Sequence, residues 1–153
     1  MLKEGDKAPV FTIETDKNIF ELKFKNDKKT IIFFFPRADT SGCTKEAIDF
    51  SLLLEQFQNL NAQIIGISKD SVMKQQKFKT KHNLSCLLGA DYQNDVCEKF
   101  GVWVEKSMYG KKYMGIQRTT FLINETGKIL KVWNKVKVPN HANEVLDFLN
   151  KTK

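Results

Sequence analysis

Of the three cysteines in this chain, Cys43, Cys86 and Cys97, the first lies where a nucleophile can be generated. The segment around it reads Pro36-Arg37-Ala38-Asp39-Thr40-Ser41-Gly42-Cys43-Thr44-Lys45-Glu46. It follows an apolar run and leads into residues with helical spacing, which places Cys43 in the first turn of a helix. Unpaired backbone N–H groups and the positive end of the helix dipole collect there. Both favour a thiolate, the reactive form of cysteine. Most free cysteines are small buried hydrophobes. Cys43 departs from that pattern because it follows a glycine in a polar loop with no apolar neighbour in sequence.

A nucleophilic cysteine could serve several chemistries, and the neighbouring residues narrow them. Thiol–disulfide exchange of the Cys-x-x-Cys type needs a second cysteine three residues away, where Thr40 and Glu46 stand. A phosphatase-like loop needs an arginine six residues on, where Asp49 stands. A papain-like protease needs a histidine base. The chain offers only His82, in a lysine-rich helix, and His141, after a proline turn. Zinc binding needs paired ligands at short spacing, which Cys86 and Cys97 do not provide. What survives is a cysteine that needs no separate base and attacks an electrophile with a good leaving group. A peroxide fits, because a thiolate is oxidised directly to a sulfenic acid.

The elements that must position this segment follow from periodicity. Lys29 to Phe35 is β-branched and aromatic on both sides of the alternation, as in a central strand buried on both faces. Thr44 to Leu60 spaces Ala47, Phe50, Leu53, Leu54 and Phe57 as one helical face. Asn61 to Ser68 reads as a second buried strand, and Ser71 to His82 as a polar helix capped by Asp70 or Ser71. Leu84 to Leu88 is a short strand and Tyr92 to Phe100 a helix ended by Gly101. Thr119 to Ile123 and Lys128 to Trp133 flank a turn at Asn124-Glu125-Thr126-Gly127. Ala142 to Lys151 is a closing amphipathic helix. This alternation predicts an α/β fold with a central mixed β-sheet flanked by helices.

Composition bounds the rest. At 153 residues, 41% hydrophobic and 28% charged, the chain fits one domain, 1–153, with a core that needs no disulfides. The N-terminal residues lack the apolar stretch of a signal peptide, and no run is long enough to span a membrane. A cytoplasmic protein without a membrane partner is expected. The net charge of +7 comes from lysines spread along the chain with no arginine-rich run. A solvated surface explains it better than a nucleic-acid partner. A basic binding module or holdase that keeps an enzyme's fold is the alternative from another functional class.

The spacing Pro36-x-x-x-Thr40-x-x-Cys43 resembles the signature of the peroxiredoxin family. Gly5-Asp6-x-Ala8-Pro9-x-Phe11 is similar to the opening of these proteins. The stretches FFFPRADTSGCTKEAIDF and VCEKFGVWVEKSMYGKKYMGIQRTTFLIN, and then GKIL, resemble the subfamily called bacterioferritin comigratory protein or peroxiredoxin Q. The resemblance covers nearly the whole chain. It implies a thioredoxin-like fold, reduction of hydrogen peroxide and organic hydroperoxides, and no metal or organic cofactor. It implies Cys43 as the peroxidatic cysteine and Thr40 as the hydroxyl that hydrogen-bonds the peroxide. Pro36 would shield the thiolate, Arg118 would pair with thiolate and peroxide, and Glu46 would orient the arginine. Each role has a physical reason: O–O cleavage develops negative charge, and preorganised donors lower that barrier. Arginine stays protonated, so its part is electrostatic.

One feature of the family is missing. Many members carry a second cysteine five residues after the first, where this chain has Ile48, or in the helix after the second strand, where Phe78-Lys79-Thr80 has none. Cys97 reads as a buried structural thiol, and Cys86 opens a short strand. The expected reductant is therefore an external thiol, thioredoxin or another, acting directly on Cys43. A monomer, with at most weak dimerisation, is expected.

Overall fold

The computed structural model describes residues 1–152. In chain order the elements are β1 (Phe11–Glu14), β2 (Ile19–Leu22), β3 (Lys29–Phe34), α1 (Ser41–Leu52), α2 (Leu54–Asn59), β4 (Ala62–Ser68) and α3 (Val72–His82). They continue with β5 (Leu87–Ala90), α4 (Val96–Lys99), β6 (Trp103–Met108), β7 (Lys111–Ile116), β8 (Thr119–Ile123), β9 (Ile129–Trp133) and α5 (His141–Lys151).

Five strands form the central sheet in the order β5-β4-β3-β8-β9. β3, β4 and β5 run parallel, β8 pairs antiparallel with β3 and β9 antiparallel with β8, so the sheet is mixed as the sequence pattern predicts. β3 sits at its centre, and its continuous apolar run divides between two cores. Ile31, Phe33 and Phe35 face one cluster with Ala47, Phe50, Phe57, Phe78 and Leu146. Ile32 and Phe34 face another with Phe11, Ile13, Phe100 and Phe121. Side chains that alternate along a strand require this division. The Phe33 ring stacks on Phe50 at 4.6 Å between centroids. It also covers Gly66, its register partner, where a Cβ would stand 2.4 Å from the ring. Glycine is needed there for the close approach.

Several boundaries differ from the sequence expectation. The helix expected over Thr44 to Leu60 starts three residues earlier and breaks at Leu53; Leu53 and Leu54 both pack on the core while Leu52 stays exposed. The helix expected from Tyr92 is only the short α4, because the buried Asp91 carboxylate accepts the N–H groups of Val96 and Cys97 and sets the start there. The strand expected over Leu84 to Leu88 runs instead from Leu87 to Ala90. Two antiparallel hairpins, β1–β2 and β6–β7, were not foreseen. The β1–β2 hairpin and α4 supply much of the second core, so that face is less helical than the first. No helix among the described residues is long and apolar enough to cross a membrane.

Candidate active site

The antiparallel pairing of β8 with β3 builds the site. Thr119 lies opposite Phe34, so the chain entering β8 runs beside the chain leaving β3. Arg118, immediately before β8, thereby meets the segment that carries Cys43. Its Nη2 donates to Cys43 Sγ at 3.2 Å, and its Nη1 donates to Glu46 Oε1 at 2.6 Å. Cys43 and Glu46 are three residues apart on α1 and so share a face. One guanidinium spans both. Gly42 permits this, since a Cβ there would stand 3.3 Å from Arg118 Nη2.

The site is dry. Cys43 is 1% exposed and packs within the first core, although its sequence neighbours are polar. Glu46 is likewise 1% exposed, and its Oε2 has no hydrogen-bond partner among the described residues. Burial pushes the Glu46 carboxyl up to about 7, against the pull of the Arg118 guanidinium. Burial also opposes the Arg118 cation, but Glu46 and Cys43 outweigh it and hold its pKa above the ordinary value.

Thr40 is the N-cap residue of α1, but its hydroxyl does not cap the helix. It donates to the Arg37 carbonyl at 2.9 Å, which leaves the Thr40 oxygen able to accept. Pro36 is exposed and lines a groove of about 470 Å³ beside Arg37, Trp103 and Lys106. Of the five residues singled out from sequence, Cys43, Glu46 and Arg118 are in direct contact. Thr40 and Pro36 lie on the loop that leads to them.

Two residues that sequence reasoning missed anchor that loop. Asp70, just beyond β4, accepts the Ala38 N–H at 2.8 Å and the Ser68 hydroxyl at 2.6 Å. Asp39 has a left-handed backbone, φ 64°, and its carboxylate takes Lys81 Nζ at 2.8 Å and His82 Nε2 at 2.7 Å from the end of α3. These bonds hold the Asp39 carboxyl below its usual range. A short polar side chain tolerates the left-handed backbone at Asp39, but its partners on α3 are not legible in the sequence.

His141 serves no base function here. It is buried, hydrogen-bonded to Thr120 Oγ1 at 2.8 Å, and packed edge-on against Phe50 and Trp133. Burial, and secondarily the Arg118 charge, lower its pKa from 6.5 to about 4. The unfolded chain therefore binds the His141 proton more readily than the folded one between those values. This contribution to stability is present above about pH 6.5 and declines as pH falls toward 4. Glu46, with a raised value, acts with the opposite sign, so a comparison isolates the histidine. In urea unfolding, the stability difference between the parent and His141→Gln should shrink by on the order of 3 kcal/mol from pH 7 to pH 4. An unchanged difference would show that His141 is not held neutral by its surroundings.

Cys86 and Cys97 are both fully buried. Cys86 immediately precedes β5, and its sulfur lies against Ser51 Oγ at 3.3 Å and the Ala47 carbonyl at 3.8 Å. Burial pushes its thiol up to about 11. Burial and the adjacent Asp91 carboxylate also raise the Cys97 thiol pKa. No group of three or more histidine, cysteine or acidic residues among those described is arranged to hold a metal ion.

The profile of the AhpC/TSA family matches residues 4–132. The chain belongs to that family. Peroxiredoxin Bcp of Bacillus subtilis is 44% identical over 146 residues, which cover 95% of this chain and 93% of that one. A cysteine-to-serine variant of PrxQ from Xylella fastidiosa superposes with a TM-score of 0.93 at 33% identity, covering 99% of this chain and 97% of that one. The bacterioferritin comigratory protein of Xanthomonas campestris, whose structures concern alkyl peroxide reduction, gives a TM-score of 0.88 at 33% identity and covers 95% and 98% of the two chains. The fold is thus the thioredoxin-like fold of the peroxiredoxins. As a member of the AhpC/TSA family within its Bcp group, the chain is a thiol-dependent peroxidase.

Proposed function

We propose that Cys43 is the peroxidatic nucleophile and that Arg118, Glu46, Thr40 and Pro36 form its reaction site. The observation that carries this reading is the single guanidinium spanning Cys43 Sγ and the buried Glu46 carboxyl. The Cys43 thiolate attacks one oxygen of the hydroperoxide, and the O–O bond breaks. The sulfur is oxidised by two electrons to a sulfenic acid, and the other oxygen leaves as alkoxide or hydroxide, taking a proton from the peroxide or solvent. Arg118 and the backbone N–H groups at the start of α1 stabilise the charge that develops. The Thr40 oxygen accepts the peroxide O–H while its own O–H donates to the Arg37 carbonyl. Pro36 keeps water from the thiolate. Substrates are hydrogen peroxide and organic hydroperoxides.

An external thiol, thioredoxin or a small one, then attacks the sulfenic acid, releasing water and forming a mixed disulfide that a second thiol reduces. Cys43 is almost wholly buried, so this reductant reaches it only when the loop held by Asp39 and Asp70 moves. We also read the chain as one domain, cytoplasmic, monomeric or weakly dimeric, and without a nucleic-acid or membrane partner.

The test is peroxide consumption coupled to a thioredoxin system or to a low-molecular-weight thiol. Saturable consumption far above the background rate of a free thiol is the expected result. A rate equal to that background would overturn the assignment. The absence of an internal partner gives a second expectation. Cys86 touches α1 at positions four and eight residues beyond Cys43, about 6 and 12 Å along the helix axis. Its buried thiol is also poorly ionised at neutral pH. Cys86→Ala and Cys97→Ala should each retain turnover within a few-fold, and oxidised protein should show no intramolecular disulfide in its peptide map. A Cys43–Cys86 or Cys43–Cys97 disulfide, with turnover lost on removing that partner, would show the external-thiol route to be wrong.

A further inference from the structure

The groove beside Pro36 carries more positive charge than its own carboxylates neutralise. Arg37, Lys69, Lys74 and Lys106 line it, and the single acidic residue in its wall is Asp70. Asp70 is occupied by the Ala38 N–H and the Ser68 hydroxyl. Lys69 is accounted for by Asp91 at 3.1 Å and Glu98 at 2.6 Å. Lys106 has no ion-pair partner among the described residues.

Lys106 is nonetheless held in place. It stands on β6 opposite Tyr113, and its stem crosses the backbone at Gly115, where a Cβ would meet its Cδ at 3.2 Å and its Cε at 3.4 Å. Gly115 thus leaves the room in which the Lys106 chain lies flat. The residue is partly buried, and besides burial its ammonium senses the charges of Arg118 and Cys43. A half-buried cation beside the reaction site, packed by its stem and unpaired at its head, is placed to meet a ligand. Trp103, Tyr113 and Met114 supply apolar surface in the same groove.

We propose that Lys106 is a specificity-determining residue that favours organic hydroperoxides carrying an anionic group over their neutral counterparts. The inference rests on the peroxidase reading of Cys43 and adds a charge preference to it. Its ammonium attracts the anionic end of the substrate while the apolar body lies along Trp103 and Tyr113, and the hydroperoxide end is directed toward Cys43.

Cumene hydroperoxide and its para-carboxylate form a matched probe pair. The quantity to measure is the ratio of kcat/KM for the carboxylate to that for the neutral compound, in parent, Lys106→Gln and Lys106→Arg proteins. Lys106→Gln should lower the ratio by on the order of 10-fold, as loss of one nearby charge in a partly solvated site does. Lys106→Arg should keep it. Added salt should lower the ratio in the parent more than in Lys106→Gln. A purely structural role would lower both rate constants together and leave the ratio unmoved, and that result overturns the inference. A parent protein that reduced neither compound would overturn the peroxidase reading itself, which separates the two failures.

Discussion

Cys43→Ser should lose all peroxide turnover while unfolding at nearly the parent's denaturant concentration. A serine hydroxyl is not ionised at neutral pH and has no sulfur to take up the oxygen, so no sulfenic acid forms. The structural cost is small, because the residue contributes one buried sulfur to a core dominated by Phe33, Phe35 and Phe50. The loop before it is held by Asp70 and by the Asp39 contacts to Lys81 and His82, none of which involves the thiol. The expected pattern is therefore a catalytic loss without a stability loss, read by coupled peroxide consumption and by urea unfolding of the same preparation. Turnover retained in the serine variant would transfer the chemistry to Cys86 or Cys97.

Arg118→Ala should slow oxidation of Cys43 by on the order of 10²-fold or more, as removal of one donor to a developing oxyanion does in other enzymes. Two effects add here. The variant loses the donor within 3.2 Å of the sulfur and also the cation that opposes protonation of Glu46. With its carboxyl already pushed to about 7 by burial, Glu46 becomes a neutral acid beside a thiol that has lost its charged partner. Alkylation of Cys43 by iodoacetamide at neutral pH should slow as well, since it consumes the same thiolate. Glu46→Gln should slow turnover less, because Arg118 keeps its contact with Cys43. Unchanged oxidation and alkylation rates in Arg118→Ala would place the arginine outside the reaction.

The sequence showed most clearly what periodicity and local spacing encode. β3, β4, β8 and β9 were legible because long apolar runs in a buried sheet leave no other reading, and the Asn124–Gly127 turn marks the last hairpin. Cys43 was legible because a polar loop and the glycine before it place it at a helix start. Its burial was not, since the cover comes from residues distant in sequence. The contact between Arg118 and Cys43, 75 residues apart, follows from strand register and needed the fold. The β6–β7 hairpin was missed because its residues are mostly exposed and only weakly alternating. Its turn residues, Tyr109 and Gly110, both with positive φ, were a usable hairpin signal. The N-terminal hairpin carried a cleaner one in Phe11-Thr12-Ile13-Glu14, which alternates buried and exposed. The roles of Asp39 and Asp70 depend on side chains folding back on a loop, and no pattern in the sequence states that.

The claim that Cys43 is the residue oxidised by peroxide is tested most directly by peptide mass spectrometry. Reduced protein would be treated with one equivalent of hydrogen peroxide in the presence of dimedone, then digested and mapped. The geometry predicts a dimedone adduct on the peptide containing Cys43, with Cys86 and Cys97 recovered as unmodified thiols. An adduct on Cys86 or Cys97 with Cys43 still reduced would contradict the account, as would oxidation spread evenly over all three.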